Sequence, residues 1–116
     1  MAMNADWDNV VARLHALQAF PFLRTSVDAL LRLVDGLRNI SSLEAVEPTV
    51  SLASIALRVQ DVKRYVSVTW LDETQKYEIA FVDPSLEFLK EQRIPQADIV
   101  ATVIDYVEQL KGLVLH

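Results

Sequence analysis

Histidine is the side chain that most readily moves protons or holds a metal near neutral pH, and the chain has two, His15 and His116. They stand at opposite ends of the sequence. His15 follows Leu14 at the border of an apolar helical stripe, where a structural or solvated role is expected, and His116 is the last residue and is expected to fray. Carboxylates in pairs are the other common acid–base device, and Asp72, Glu73 and Glu78 form the densest acidic group. Paired catalysis needs two carboxylates facing across a cleft, with one pKa raised by burial. Asp72 and Glu73 instead fall in a polar turn, which is ordinarily just solvated.

Other chemistry is equally hard to place. Asp6, Asp8, Asp98 and Asp105 lack the alternating oxygen-ligand spacing of a calcium loop. The serines at 26, 41, 42, 51, 54, 67 and 85 include no Gly-x-Ser-x-Gly elbow, and neither of the two glycines belongs to a phosphate-cradling loop. The chain has no cysteine, so disulfides and thiolate metal sites are excluded. These readings predict a protein that is not an enzyme and carries no cofactor and no metal. An enzyme of unknown class survives as an alternative only if folding gathers His15 with distant carboxylates.

Sixteen acidic against eleven basic side chains give a net charge of −5, whose field repels nucleic acid and anionic membranes. Arg13, Arg24, Arg32 and Arg38 are interleaved with Asp28 and Asp35, so no basic stripe forms. With no positive region followed by an apolar run at the start, and no apolar stretch of the ~18 residues a span requires, a cytoplasmic location is expected.

The elements that would position these groups follow from hydropathy. At 116 residues and 52% hydrophobic, the chain is expected to form one globular domain over 1–116. Trp7, Val10, Val11, Leu14 and Leu17 recur at helical spacing, capped by Asp6 or Asn4 and ending near Phe20 before Pro21. A second helix is predicted from Thr25, with Thr25-x-x-Asp28 as a capping box, through Val27, Leu30, Leu31, Val34 and Leu37. Asn39 to Thr49 reads as a loop, although Ser41-x-x-Glu44 would also begin one helical turn.

From Ser51 to Val82 the hydropathy alternates with a period of two. Ile55, Leu57 and Val59 define one strand, Val66, Val68 and Trp70 a second, and Tyr77, Ile79 and Phe81 a third. Asp72 to Gln75 has no glycine, which predicts a four-residue loop built on a type I turn. Asp83-Pro84-Ser85 either caps a helical turn or ends the third strand, and 87–93 is expected as an edge strand. Pro95 opens a last helix bearing Ile99, Val100, Val103, Ile104, Val107 and Leu110, which stops at Gly112. The predicted class is α+β in two layers: an N-terminal helix pair, an antiparallel sheet of three or four strands in meander order, and a C-terminal helix.

If one sheet face meets the helices, Arg58, Tyr65, Ser67, Thr69, Lys76, Glu78 and Ala80 share the other, a mixture suited to protein contact or simply to solvent. The candidate binding residues are Arg58, Tyr65, Thr69, Asp72, Glu73 and Glu78. Phe20-Pro21-Phe22-Leu23 is expected to close the end of the core, with a dimer contact as the alternative. In size and charge alone, the chain compares with immunity proteins, antitoxins and other small inhibitors. The expected function is therefore a small acidic protein-binding module that masks another protein's basic surface. A dimeric scaffold or secretion-chaperone-like protein is the alternative, so a homodimer is possible.

Overall fold

The computed structural model describes residues 5–51 and 53–113. Helix α1 (Ala5–Leu17) buries Trp7, Val10 and Leu14 on one stripe, with Val11 and Leu17 packed at its margins. Its end tightens into i→i+3 bonds, His15 to Gln18 and Leu17 to Phe20, so the helix stops before Pro21 removes the next donor. Asn4, one of the two expected caps, lies outside the described residues.

Helix α2 (Arg24–Leu37) emerges directly from a 3-10 turn at Pro21–Leu23. Thr25 is therefore already inside the helix. The expected Thr25–Asp28 capping box does not form, since the helix begins after Leu23 with no side-chain cap, and Asp28 instead accepts from Gln18 Nε2 at 3.0 Å. Val27, Leu30, Leu33, Val34 and Leu37 are buried, which is the apolar periodicity of the sequence realised in packing.

Five strands form one antiparallel sheet in meander order: β1 (Val46–Ser51), β2 (Ser54–Val59), β3 (Tyr65–Leu71), β4 (Lys76–Val82) and β5 (Phe88–Ile94). The count exceeds the expected three or four because the segment 39–49, read as loop, contains a 3-10 turn at Ser41–Leu43 and the start of β1. Pro48 disguised that strand. It sits opposite Leu57 on an edge, pointing into the core beside Val46 and Val50, where a missing N–H costs the ladder little. The expected edge strand over 87–93 is β5, and Asp83–Ser85 ends β4 in a turn rather than a helix.

Helix α3 (Ile99–Gly112) follows a 3-10 turn after Pro95 and buries Ile99, Val103, Tyr106, Val107 and Leu110. One core cluster joins residues of all three helices to Ile55, Leu57, Val66, Val68, Trp70, Tyr77, Ile79 and Phe81. The helices thus cover one face of the sheet, and the fold is two-layer α+β. Tyr77 pins the layers by donating its hydroxyl to the Ala29 carbonyl of α2 at 2.6 Å.

Candidate functional site

On the sheet face away from the helices, strand register sorts the outward side chains into rows that cross the sheet. The first row runs Glu47, Arg58, Tyr65, Val82, Phe88. Within it the Arg58 guanidinium lies over the Tyr65 ring, 4.1 Å from its centroid, so the charge stacks on an aromatic face while keeping its donors available. The second row is small from β1 to β4, Thr49, Ala56, Ser67 and Ala80, and ends on Glu91 of β5. The third runs Ser51, Ser54, Thr69, Glu78, Arg93.

One hydrogen bond and one ion pair link members of the third row. Ser54 and Thr69 hydroxyls meet at 2.6 Å, and Arg93 lies 3.9 Å from Glu78. Burial raises the Glu78 carboxyl above its ordinary 4.5, the neighbouring Glu91 charge raises it further, and Arg93 opposes both. Arg58 and Tyr65 are thus brought together, as are Thr69 and Glu78, all on the face where the alternation placed them.

Ala80 departs from its expected place on a solvated face, because it is only 1% exposed although it points away from the helices. Val82, on the same side, is 2% exposed, and both stand outside the core cluster. The reason is local: a bulge in β5 shifts the register between Ile79 and Phe81, and Lys90 takes a left-handed φ of 53° there. An extra β5 residue is thereby set against Ala80. Tyr106 of α3 holds this bulge by donating its hydroxyl to the Lys90 carbonyl.

The β3–β4 loop has the four residues expected, closed by Gln75 N–H donating to Leu71 O at 2.9 Å, with Gln75 at φ 56° in place of a glycine. Asp72 is not simply a solvated charge: Trp70 Nε1 donates to its Oδ1 at 2.8 Å. Glu73 beside it is exposed and has no hydrogen bond or ion pair among the described residues. Asp72 and Glu73 therefore adjoin these rows at one end of the sheet without belonging to them.

Sequence reasoning missed Val82, Phe88 and Leu86. Phe88 is 53% exposed and Leu86 is 73% exposed, the latter at φ 67° in a turn closed by its N–H to Asp83 O at 2.7 Å. The signal was present as an isolated phenylalanine heading the charged run 90–93. At the opposite end, Phe20 and Phe22 do not close the core: they are 48% and 78% exposed, with ring centroids 6.0 Å apart, and only Leu23 of that group packs inward.

His15 is exposed on α1, its Nδ1 3.1 Å from Gln18 Oε1. Among the described residues no three His, Cys, Asp or Glu side chains gather as a metal site, and no helix is long and apolar enough to cross a membrane. His116 lies outside the described residues. Comparison with protein-family models, with curated proteins and with solved structures finds no match.

Proposed function

We propose that the protein is a non-catalytic protein-binding module that associates through the helix-free face of its sheet and the adjoining Asp72–Gln75 loop. The observation that carries this reading is the first row, where Arg58, Tyr65 and Phe88 set a cation and two aromatics on one face without a covering helix, over a buried Val82. Tyrosine and arginine supply much of the binding energy at protein interfaces, and here their stacking spares part of the entropy of ordering them on contact.

A net charge of −5 favours a partner with a basic surface and speeds its approach, as an inhibitor that masks a cationic site would need. Glu73, unpaired on the loop, is the carboxylate best placed to meet a lysine or arginine. The proposed setting is the cytoplasm.

Affinity capture from the source cells with mass spectrometry identifies the partner, and variants then locate the contact. Glu73→Lys is expected to weaken binding several-fold at low salt with no change in folding, whereas Asp72→Lys would also forfeit the Trp70 hydrogen bond. Tyr65→Ala is expected to weaken association through the sheet face at all salt concentrations. Unchanged affinity in both Glu73→Lys and Tyr65→Ala would overturn the reading.

A further inference from the structure

We infer that the helix-free sheet face binds a second copy of this chain, forming a two-fold dimer that leaves the Asp72–Gln75 loops at its ends for the basic partner. This rests on the reading of that face as a docking surface and assigns its occupant. The first argument is charge. Glu47, Glu78 and Glu91 on the face are balanced by Arg58, Lys76 and Arg93, three against three, in a molecule that is otherwise acidic. Two chains of net charge −5 repel in most orientations, and a locally neutral face is where they approach at least cost.

The second argument is complementarity under a two-fold axis running along β3, the central strand. That operation lays β2 on the partner's β4, and β1 on its β5, so an isologous contact can be checked residue by residue. Glu47 falls opposite Phe88, Glu78 opposite Ser54, and Arg93 opposite Ser51, while Arg58 falls over the strand position of Val82, whose side chain is already buried within its own chain. No like charges meet. Along the middle row the small Ser67 lies near the axis beside Ala56, so the sheets can approach over β2 and β3, whereas Ala80 is already covered within its own chain.

Area and edges complete the case. Five strands about 4.8 Å apart and roughly 20 Å long offer on the order of 500 Å² in projection. Side-chain relief and the exposed Leu86 and Phe88 at its corner bring this toward the ~800 Å² per partner of a standard interface. Pairing along an edge is disfavoured, because β1 carries Pro48 and β5 carries Lys90-Glu91-Gln92-Arg93 and a bulge.

The test is the mass of the full chain by sedimentation equilibrium from micromolar to millimolar concentration, at low and high salt. The expected species is twice the 13.1 kDa chain, with an affinity that changes less than about threefold with salt because no ion pair crosses the axis. Ser67→Arg, which sets two guanidinium groups together near the axis, should weaken the dimer at least tenfold, while Phe22→Glu at the far end leaves it unchanged. Because the chain lacks cysteine, Ser67→Cys adds a fold-preserving readout: a short bis-maleimide should join two chains through that position. A monomer at every concentration overturns the inference, as does a dimer that Phe22→Glu dissolves and Ser67→Arg does not. If the chain is monomeric but Tyr65→Ala still weakens capture of another protein, the docking surface stands and only its occupant was misassigned.

Discussion

Tyr77 and Tyr106 reach the backbone of other elements through their hydroxyls, one to Ala29 O in α2 and the other to Lys90 O at the β5 bulge. Burial raises both phenols above 10.0, more than the Arg32 charge lowers Tyr77, while Asp105 raises Tyr106 further. A raised acid holds its proton more tightly in the folded state, so this stabilisation is complete below pH 10 and is lost as pH rises through the folded values. Urea unfolding as a function of pH should show stability falling above pH 10. Tyr77→Phe should remove part of that fall and cost about 1 kcal/mol at neutral pH for the lost hydrogen bond. Glu78 follows the same sign at lower pH: its contribution is present below 4.5 and lost as pH rises. Glu78→Gln should therefore stabilise the fold slightly at pH 7, by less than about 1 kcal/mol at this partly solvated position, and leave it unchanged below pH 4.

Elements meet closely at Gly36, where an added Cβ would lie 3.0 Å from Val100 Cγ2 of α3. A glycine inside a helix costs roughly 1 kcal/mol against alanine. The packing explains its presence, since the α2–α3 contact leaves almost no room for a methyl group. Gly36→Ala should gain up to about 1 kcal/mol of helix propensity and lose most of it to crowding, giving a melting temperature within a few degrees of the parent. Gly36→Val, which cannot be accommodated by small shifts, should lower it clearly. The turns tell a related story. Asp61, Gln75, Leu86 and Lys90 all adopt positive φ without being glycine, and Leu86 is the bulkiest and most exposed apolar case. Leu86→Gly should relieve that strain and raise stability by several tenths of a kcal/mol in chemical denaturation, unless the side chain packs against a partner.

At the scale of the molecule, α2, α3 and strands β2 to β4 were legible because their apolar residues keep one period from end to end. Where the period was interrupted, legibility failed for identifiable reasons. Pro48 hid β1 because a proline in an alternating run argues for loop unless the strand is at an edge, and edges are set by topology, not by local sequence. The Thr25 box failed because the turn at Pro21–Leu23 started the helix one residue earlier. The site was half legible: alternation placed Arg58, Tyr65, Thr69 and Glu78 on one face, but Phe88 and Val82 join them only through the pairing of β5 with β4.

The layered design also depends on α3, which follows all five strands in the chain and packs on β2, β3 and β4. Its buried Ile99, Val103, Tyr106, Val107 and Leu110 face β2, β3 and β4, and without them the sheet would expose an apolar surface on the side opposite the helix-free face. A chain truncated after Pro95 should lose cooperative unfolding and bind a hydrophobic dye, because α1 and α2 alone leave the apolar face of β2 to β4 partly open. A milder change separates core closure from association. Val103→Ala removes two methyl groups from a fully buried position and should cost about 2 kcal/mol in urea unfolding, yet it touches nothing on the helix-free face. Measured at a temperature where it remains folded, it should keep the sedimentation mass of the parent, whereas Ser67→Arg should change the mass with a far smaller effect on stability. A Val103→Ala chain that is folded but has lost the parent's mass would place the association surface on the helical layer instead.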